Sequence, residues 1–290
     1  VHWLALVSLI WAYSFGLIGS ALKGVDPYFV AAARLGCALL VFLPFLRPGK
    51  VGRVEAPRLV LYGAIQFGCM YVAYINAFRF LPSHLVALFS VLTPVYVVLI
   101  HDLRQRRFTP GYLLAAALSV LGAAVIEGEA PAANRSIWIG FALMQIAGIV
   151  FAFGQVAYRD WKRAHPQIRD REAFALLYLG GTVIALSFSA SLTDWSELRP
   201  TAGQWQALAY LGLVASGLGF FLWNKGAALS SPGVLAAFNN AVVPLAVLCS
   251  LFVFKEIETI GTEGTVRLTI GGTLIAASVI LGRKRISSLS

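Results

Sequence analysis

Apolar residues run along this chain in stretches of about twenty, separated by short polar or basic segments. The stretches lie at roughly 3–20, 27–46, 57–80, 83–101, 110–127, 136–159, 172–192, 203–229, 232–254 and 262–281. Each is long enough for a helix to cross a hydrocarbon core of ~30 Å. The pattern predicts an all-α integral membrane protein with ten transmembrane helices. Pro27, Pro82, Pro110 and Pro232 stand at or near the starts of stretches, where a missing backbone donor costs nothing. Pro94 and Pro244 lie well inside, where each frees a carbonyl and bends its helix, and these two are the expected hinges. The first stretch, from about Trp3 to Ser20, is too long for a signal-peptide core and lacks a small-residue cleavage site. The chain starts at Val1 and not Met, so a short preceding segment is expected.

Composition agrees with a bilayer. Of 290 residues, 59% are hydrophobic and 12% charged, far from the roughly one-quarter charged of a soluble domain. The formal net charge of +10 would suggest nucleic acid for a soluble protein. Here the basic residues cluster between apolar runs, which is the pattern of membrane orientation, so no nucleic-acid partner is expected. With the N-terminus in the cytoplasm, sixteen Lys and Arg fall in cytoplasmic segments and six in outer ones. That asymmetry places both termini in the cytoplasm of a multi-pass inner-membrane protein. Cys37, Cys69 and Cys249 all sit in apolar runs and form no disulfide framework.

An ungapped shift of 150 residues then reveals an internal repeat. It lays Pro82 on Pro232, Pro94 on Pro244, Gly111 on Gly261 and Gly122 on Gly272. Apolar matches are common in any membrane protein; two prolines and two glycines at one constant shift are not. Stretches three to five therefore repeat as eight to ten, in halves 1–130 and 131–290. Five crossings per half is odd, so the halves are inverted relative to each other around a central cavity. That is a frequent plan among alternating-access transporters.

The same residues resemble the drug/metabolite transporter superfamily, in particular its EamA-type members. Ala77-Phe78-Arg79-Phe80-Leu81-Pro82, leading to Leu92-Thr93-Pro94-Val95, is similar to the family's third and fourth helices. Asn239-Asn240-Ala241-Val242-Val243-Pro244, followed by Phe254-Lys255-Glu256, is similar to its ninth helix and the following loop. Arg34, after Val30-Ala31-Ala32-Ala33, matches its second-helix arginine. Leu222-Trp223-Asn224-Lys225-Gly226-Ala227 resembles the branch of carboxylate, amino-acid and amine transporters that includes YddG-type aromatic amino-acid exporters. The resemblance implies ten helices around a central cavity and secondary transport of a small metabolite.

Deep polar and aromatic residues are the candidates for substrate contact, because polar groups are costly against lipid. No Asp or Glu falls near the middle of a stretch, which counts against carboxylate proton relays and against a cation site. Arg34 is the one cation placed well inside a stretch. It either satisfies helix-end carbonyls or pairs with a substrate carboxylate. Lys225 either snorkels to the inner surface or reaches the site. His84 is either an ordinary helix-start residue or a titrating group. Trp3, Trp138, Trp161, Trp195 and Trp205 fall at the ends of stretches, as interfacial tryptophans do. Trp11, Tyr13, Tyr71, Tyr74 and Trp223 lie deeper, where they either fill helix contacts or wall a cavity. Trp11, Tyr74, Trp223 and Asn240 are expected to line it. Asn224, Asn239 and Asn240 are further candidates, the last pair just ahead of Pro244. Gly16, Gly19, Gly122, Gly217, Gly219, Gly271 and Gly272 are expected where helices approach closely. Neither metal-ligand spacing nor a GxSxG elbow appears, so no cofactor is called for. The expected function is export of small amphipathic metabolites such as aromatic amino acids. The alternatives are an intramembrane enzyme, a non-transporting receptor and, within transporters, carboxylate or amine substrates.

Overall fold

The computed structural model describes residues 1–81, 83–127, 134–254 and 261–283. Pro82, Lys255, Glu256, Glu258, Thr259, Lys284 and Arg285, with the side chains of His84, Ala87 and Glu127, lie outside the described residues. Within them the chain forms helices α1 His2–Ala21, α2 Pro27–Phe42, α3 Glu55–Ala77, α4 at 83–105 and α5 Pro110–Glu127. There follow α6 Arg135–Ala164, α7 Asp170–Leu192, α8 Ala202–Ala228, α9 Pro232–Phe252 and α10 Thr262–Arg283. Single turns at Leu43–Phe45 and Pro48–Val51 carry the chain from α2 to α3.

Eight of these segments are long and apolar enough to cross a membrane. The remaining two are α5, whose apolar part Pro110–Ile126 is shorter, and α4, which is broken in the middle. α3 stops at Ala77, three residues before the sequence pattern does, because Phe78–Phe80 turn back on Ile75, Asn76 and Ala77 carbonyls. α6 runs five residues further than expected, to Ala164. Its last turns carry Arg159, Lys162 and Arg163, the cations that a helix C-terminus favours.

Local chemistry sets several starts. Asp26 accepts the Phe29 N–H at 2.8 Å ahead of Pro27, and Ser231 accepts the Val234 N–H ahead of Pro232. Thr201 and Gln204 cap α8 reciprocally.

The helix contacts fall into matching couples. α1 packs on α8 and α9, and α6 packs on α3 and α4. α2 packs on α8, and α7 packs on α3. α2 against α7, α5 against α10 and α4 against α9 are each their own counterpart when the halves are exchanged. Of the couples that join the two halves, one is incomplete among the described residues: α9 packs on α5, but α4 makes no comparable contact with α10.

Glycine makes the closest crossings possible. A Cβ on Gly63 of α3 would overlap the Leu177 carbonyl of α7, and one on Gly180 of α7 would overlap the Val60 carbonyl of α3. A Cβ on Gly122 of α5 would lie 2.7 Å from the Gly271 carbonyl oxygen of α10, whereas nothing lies within 4 Å of one on Gly272. The expectation of a close approach thus holds for Gly271 and not for its neighbour, since one step along a helix turns a residue by roughly 100°. Gly180→Val should therefore cost more than the ~1–3 kcal/mol of ordinary overpacking, because rigid backbone is the obstacle. Gly272→Ala should leave the detergent-solubilised protein as stable as before or better, by up to about 1 kcal/mol of helix propensity. Thermal melts monitored by size-exclusion chromatography compare the two; similar losses would contradict this packing.

Candidate functional site

Three helices that build the site are irregular where they reach it. α3 carries a π-helical segment at Ala64–Cys69, and α8 carries one at Leu211–Leu218. α4 is interrupted by a 3-10 turn at Ser90–Leu92 just before Pro94. Such segments withdraw carbonyls from the regular ladder, and within a bilayer those carbonyls need protein donors.

The donors are identifiable. In α8, Ala215 O accepts the Trp11 indole N–H at 2.9 Å, and Ser216 O and Gly217 O accept the Tyr178 hydroxyl at 2.7 and 2.8 Å. In α4, the Thr93 N–H turns to Ser90 O, leaving Phe89 O to accept the Gln145 amide at 3.1 Å. Val91 O accepts the Asn240 amide at 3.0 Å, and the Ser119 hydroxyl shares that donor group at 3.2 Å. Helix irregularity, and the side chains that compensate for it, thus position Trp11 and tie α9 to α4.

The π-segment of α8 also holds Arg34. Ser216 Oγ gives its proton to Leu211 O at 2.7 Å and accepts from Arg34 Nε at 3.2 Å. It also lies 2.7 Å from the Tyr71 hydroxyl, which is left to act as donor. The guanidinium carbon stands 4.8 Å from the centre of the Tyr71 ring, a cation–π arrangement. Arg34 is only 3% exposed, yet its Nη1 has no hydrogen-bond partner among the described residues. No salt bridge to it is formed by any described carboxylate.

Arg34 lines a cavity of about 120 Å³ in the middle of the bundle. Trp11, Phe15, Tyr71, Tyr74, Phe151 and Phe220 give it an aromatic wall, and Met70 and Met144 add adaptable apolar surface. Ser14, Thr93 and Asn239 supply neutral polar groups, and among the described residues no Asp or Glu borders it. Toward the start of α1 the cavity is bounded by rings tilted against one another: Trp11 lies 4.7 Å from Trp223 and 5.0 Å from Phe220. Below them Gln155 accepts the Trp223 indole N–H at 2.9 Å and faces the Asn239 amide at 3.5 Å.

The structure distributes the expected site residues unevenly. Trp11, Arg34, Tyr71, Tyr74 and Asn239 border the cavity. Trp223 does not: it is 1% exposed and stands behind Trp11, because its N–H is drawn to Gln155. Asn240 does not either, since one helical step turns it toward Val91 and Ser119. Asn224 is buried and accepts from the Gln66 amide at 3.2 Å, away from the cavity. Lys225 lies 5.3 Å from the centre of the Trp3 ring and does not border the cavity. Tyr13 packs against Tyr210 and Phe254. Pro94 follows the break in α4, whereas Pro244 sits inside a continuous α9. Among the expected interfacial tryptophans, Trp161 is buried because its N–H reaches Glu55 at 2.7 Å.

Sequence reading missed Ser216, Tyr178, Phe151 and Phe220. Ser216 had a signal, since it lies 150 residues after Gln66 and both occupy π-segments. Tyr178 and the two phenylalanines had none, being apolar or aromatic residues in apolar helices.

A multi-pass helical membrane protein with an aromatic central chamber is the class these features define. The chain belongs to the EamA-like transporter family, which matches it over residues 1–128 and again over 134–281. A biotin transporter of Salmonella typhimurium is 38% identical over 255 residues, 87% of this chain and 84% of that protein. A probable terminal-alkyne amino-acid exporter of Streptantibioticus cattleyicolor is 25% identical, over 98% of this chain and 95% of its own. One solved crystal structure, 18% identical, superposes with a TM-score of 0.74 over 96% of both chains. The protein is therefore a membrane transporter of small metabolites and not an enzyme.

Tyr178→Phe isolates the role of the freed carbonyls. It deletes one hydroxyl and leaves Ser216 O and Gly217 O without their side-chain donor, a loss of about 1–3 kcal/mol. A clear drop in melting temperature is expected; an unchanged melt would mean those carbonyls are satisfied in another way.

Proposed function

We propose that this transporter carries a small amphipathic carboxylate, with biotin the first candidate, and that Arg34 receives the carboxylate. The observation that carries the proposal is Arg34 Nη1, a buried charged donor without a protein partner in the wall of an aromatic cavity. Arginine stays charged in proteins and binds carboxylates through two parallel N–H donors. With Nε committed to Ser216, Nη1 is available to an anion. The biotin-transporter relative supports the substrate. Biotin joins one carboxylate to a neutral ring system, which suits a cavity with one cation, neutral polar groups and no acid.

Export of an amino acid, aromatic ones foremost, is the second reading, and the 25%-identical probable exporter favours it. Its weakness is the ammonium group. An amino acid brings a cation that would lose hydration beside Arg34, with no carboxylate among the described residues of the cavity wall to offset the loss.

The wider reading is alternating access by ten crossings in two inverted halves, 1–130 and 131–290, in the inner membrane with cytoplasmic termini. The matching couples of helix contacts, the two stretches of family match and the paired π-segments support it. In that reading the Pro94 region of α4 and the Pro244 region of α9 are the hinges. Residues Tyr71, Tyr74, Trp11 and Asn239 contact substrate, and Trp223 and Asn240 support the site from behind.

Counterflow in proteoliposomes tests the substrate. Biotin should compete with labelled biotin far better than its carboxamide does, and better than phenylalanine or tryptophan. Equal competition by the carboxamide would rule out carboxylate pairing, and better competition by the amino acids would favour the second reading. Arg34→Gln should lower carboxylate flux on the order of tenfold or more, in line with the ~1.5–3 kcal/mol of a hydrogen bond to a charged group. The folded fraction of the variant is measured alongside.

A further inference from the structure

A second cavity, of about 430 Å³, lies apart from the central one, where the end of α4, the start of α5 and the end of α6 meet. Arg107, Arg159 and Arg163 border it with His101, Tyr112 and a single carboxylate, Asp160. That carboxylate is already shared. Its Oδ2 accepts from Arg104 Nε at 3.0 Å and its Oδ1 from Arg159 Nη1 at 3.2 Å. The nearby Asp102 is occupied too, by the N–H and hydroxyl of Thr109. Arg159 is almost wholly buried and donates its Nε to Ser230 O, while Arg163 donates to Ala228 O and Ser230 O. His101 Nδ1 is buried with no hydrogen-bond partner among the described residues. Arg104 and Arg159 thus share one aspartate, Arg107 and Arg163 add two further cations beside it, and the surplus positive charge borders an open cavity.

The depth of this corner indicates what meets it. α6 has 30 residues and is about 45 Å long, well beyond a hydrocarbon core of ~30 Å. The stretch from Ser136 to Tyr158 carries no charge and is by itself about 35 Å long, so the turns beyond it, which hold Arg159 and Arg163, fall at the level of lipid headgroups. Guanidinium groups pair with phosphate oxygens by the same forked geometry that serves carboxylates.

We propose that this basic corner is a binding site for a phosphate group, distinct from the substrate cavity and independent of what the protein carries. Anionic lipid headgroups present such a group at this depth, and soluble organophosphates share its chemistry. A bound phosphate would compensate the arginine cluster and join the α4–α5 corner of the first half to α6 of the second. Through Arg159 and Arg163 it would also reach the segment joining α8 and α9.

Native mass spectrometry of the purified full chain, with phosphatidylglycerol, phosphatidylcholine or no added lipid, tests the site. The variant R107Q/R163Q spares the buried Arg159. The control R47Q/R53Q removes the same charge from exposed positions in the α2–α3 connection. Wild type and control should retain phosphatidylglycerol in preference to phosphatidylcholine, and R107Q/R163Q should bind it on the order of tenfold more weakly. Equal retention by all three proteins, or equal loss in both variants, would overturn the proposal. Inorganic phosphate, at ionic strength matched with chloride, separates the sources. Displacement of the lipid by phosphate supports a site open to soluble phosphates, and no displacement supports a headgroup site. If R107Q/R163Q fails to fold, a photoactivatable phosphatidylglycerol on wild type gives the answer. Crosslinks should map to 101–112 and 159–163, and crosslinks confined to other segments would overturn the proposal.

Discussion

A backbone carbonyl freed inside a bilayer has no water to accept from, so a protein donor must be brought to it or the helix cannot hold its irregular shape. This constraint organises the centre of the molecule. The π-segment of α8 and the break in α4 expose carbonyls, and Trp11, Tyr178, Gln145 and Asn240 come from four other helices to meet them. Those hydrogen bonds fix α1, α7, α6 and α9 around the cavity. An unpaired buried polar group costs about as much as several methylene groups gain, so the arrangement is specific. Glycine at position 219 completes it, since a Cβ there would press to 3.0 Å on the Trp11 indole nitrogen.

The same π-segment delivers Ser216 to Arg34. A buried guanidinium is tolerated where its donors are met, and here Ser216 and the Tyr71 ring meet part of the requirement. The part left over faces the cavity. A site built in this way stabilises an anion more than a neutral ligand and repels a cation. The aromatic and methionine wall contributes apolar contact without choosing among ring systems. In the proposed function, charge sets the class of ligand and shape sets the member.

Contacts between the halves are nearly, but not wholly, reciprocal. α9 stays continuous through Pro244 and packs on both α5 and α10, whereas α4 breaks ahead of Pro94 and among the described residues makes no comparable contact with α10. Two segments with corresponding prolines thus take different shapes in one molecule. Asn240 of the straight helix donates to Val91 O of the broken one, so the difference is held at the interface between them.

Hydrophobic periodicity and length alone determined that this chain is helical and membrane-embedded, because no other solvent accommodates stretches of twenty apolar residues. The 150-residue repeat was legible in prolines and glycines, since those residues are constrained by backbone geometry and not by solvent. Arg34 and Trp11 were legible as well, because a charge or an indole N–H at that depth requires a partner. What the sequence did not contain was the direction each side chain takes. Asn239 and Asn240 are chemically identical neighbours, yet one borders the cavity and the other binds a carbonyl of α4. Trp223 was as deep as Trp11 but was drawn behind it by Gln155, a residue 68 positions away. On the continuous α9 a single step of roughly 100° separates the two asparagines, whereas the π-segment of α8 inserts a residue into a turn and rotates Trp223, which follows it, relative to the regular helical pattern. Such rotation depends on which distant donors are at hand to satisfy the freed carbonyls, and only the tertiary structure brings them together.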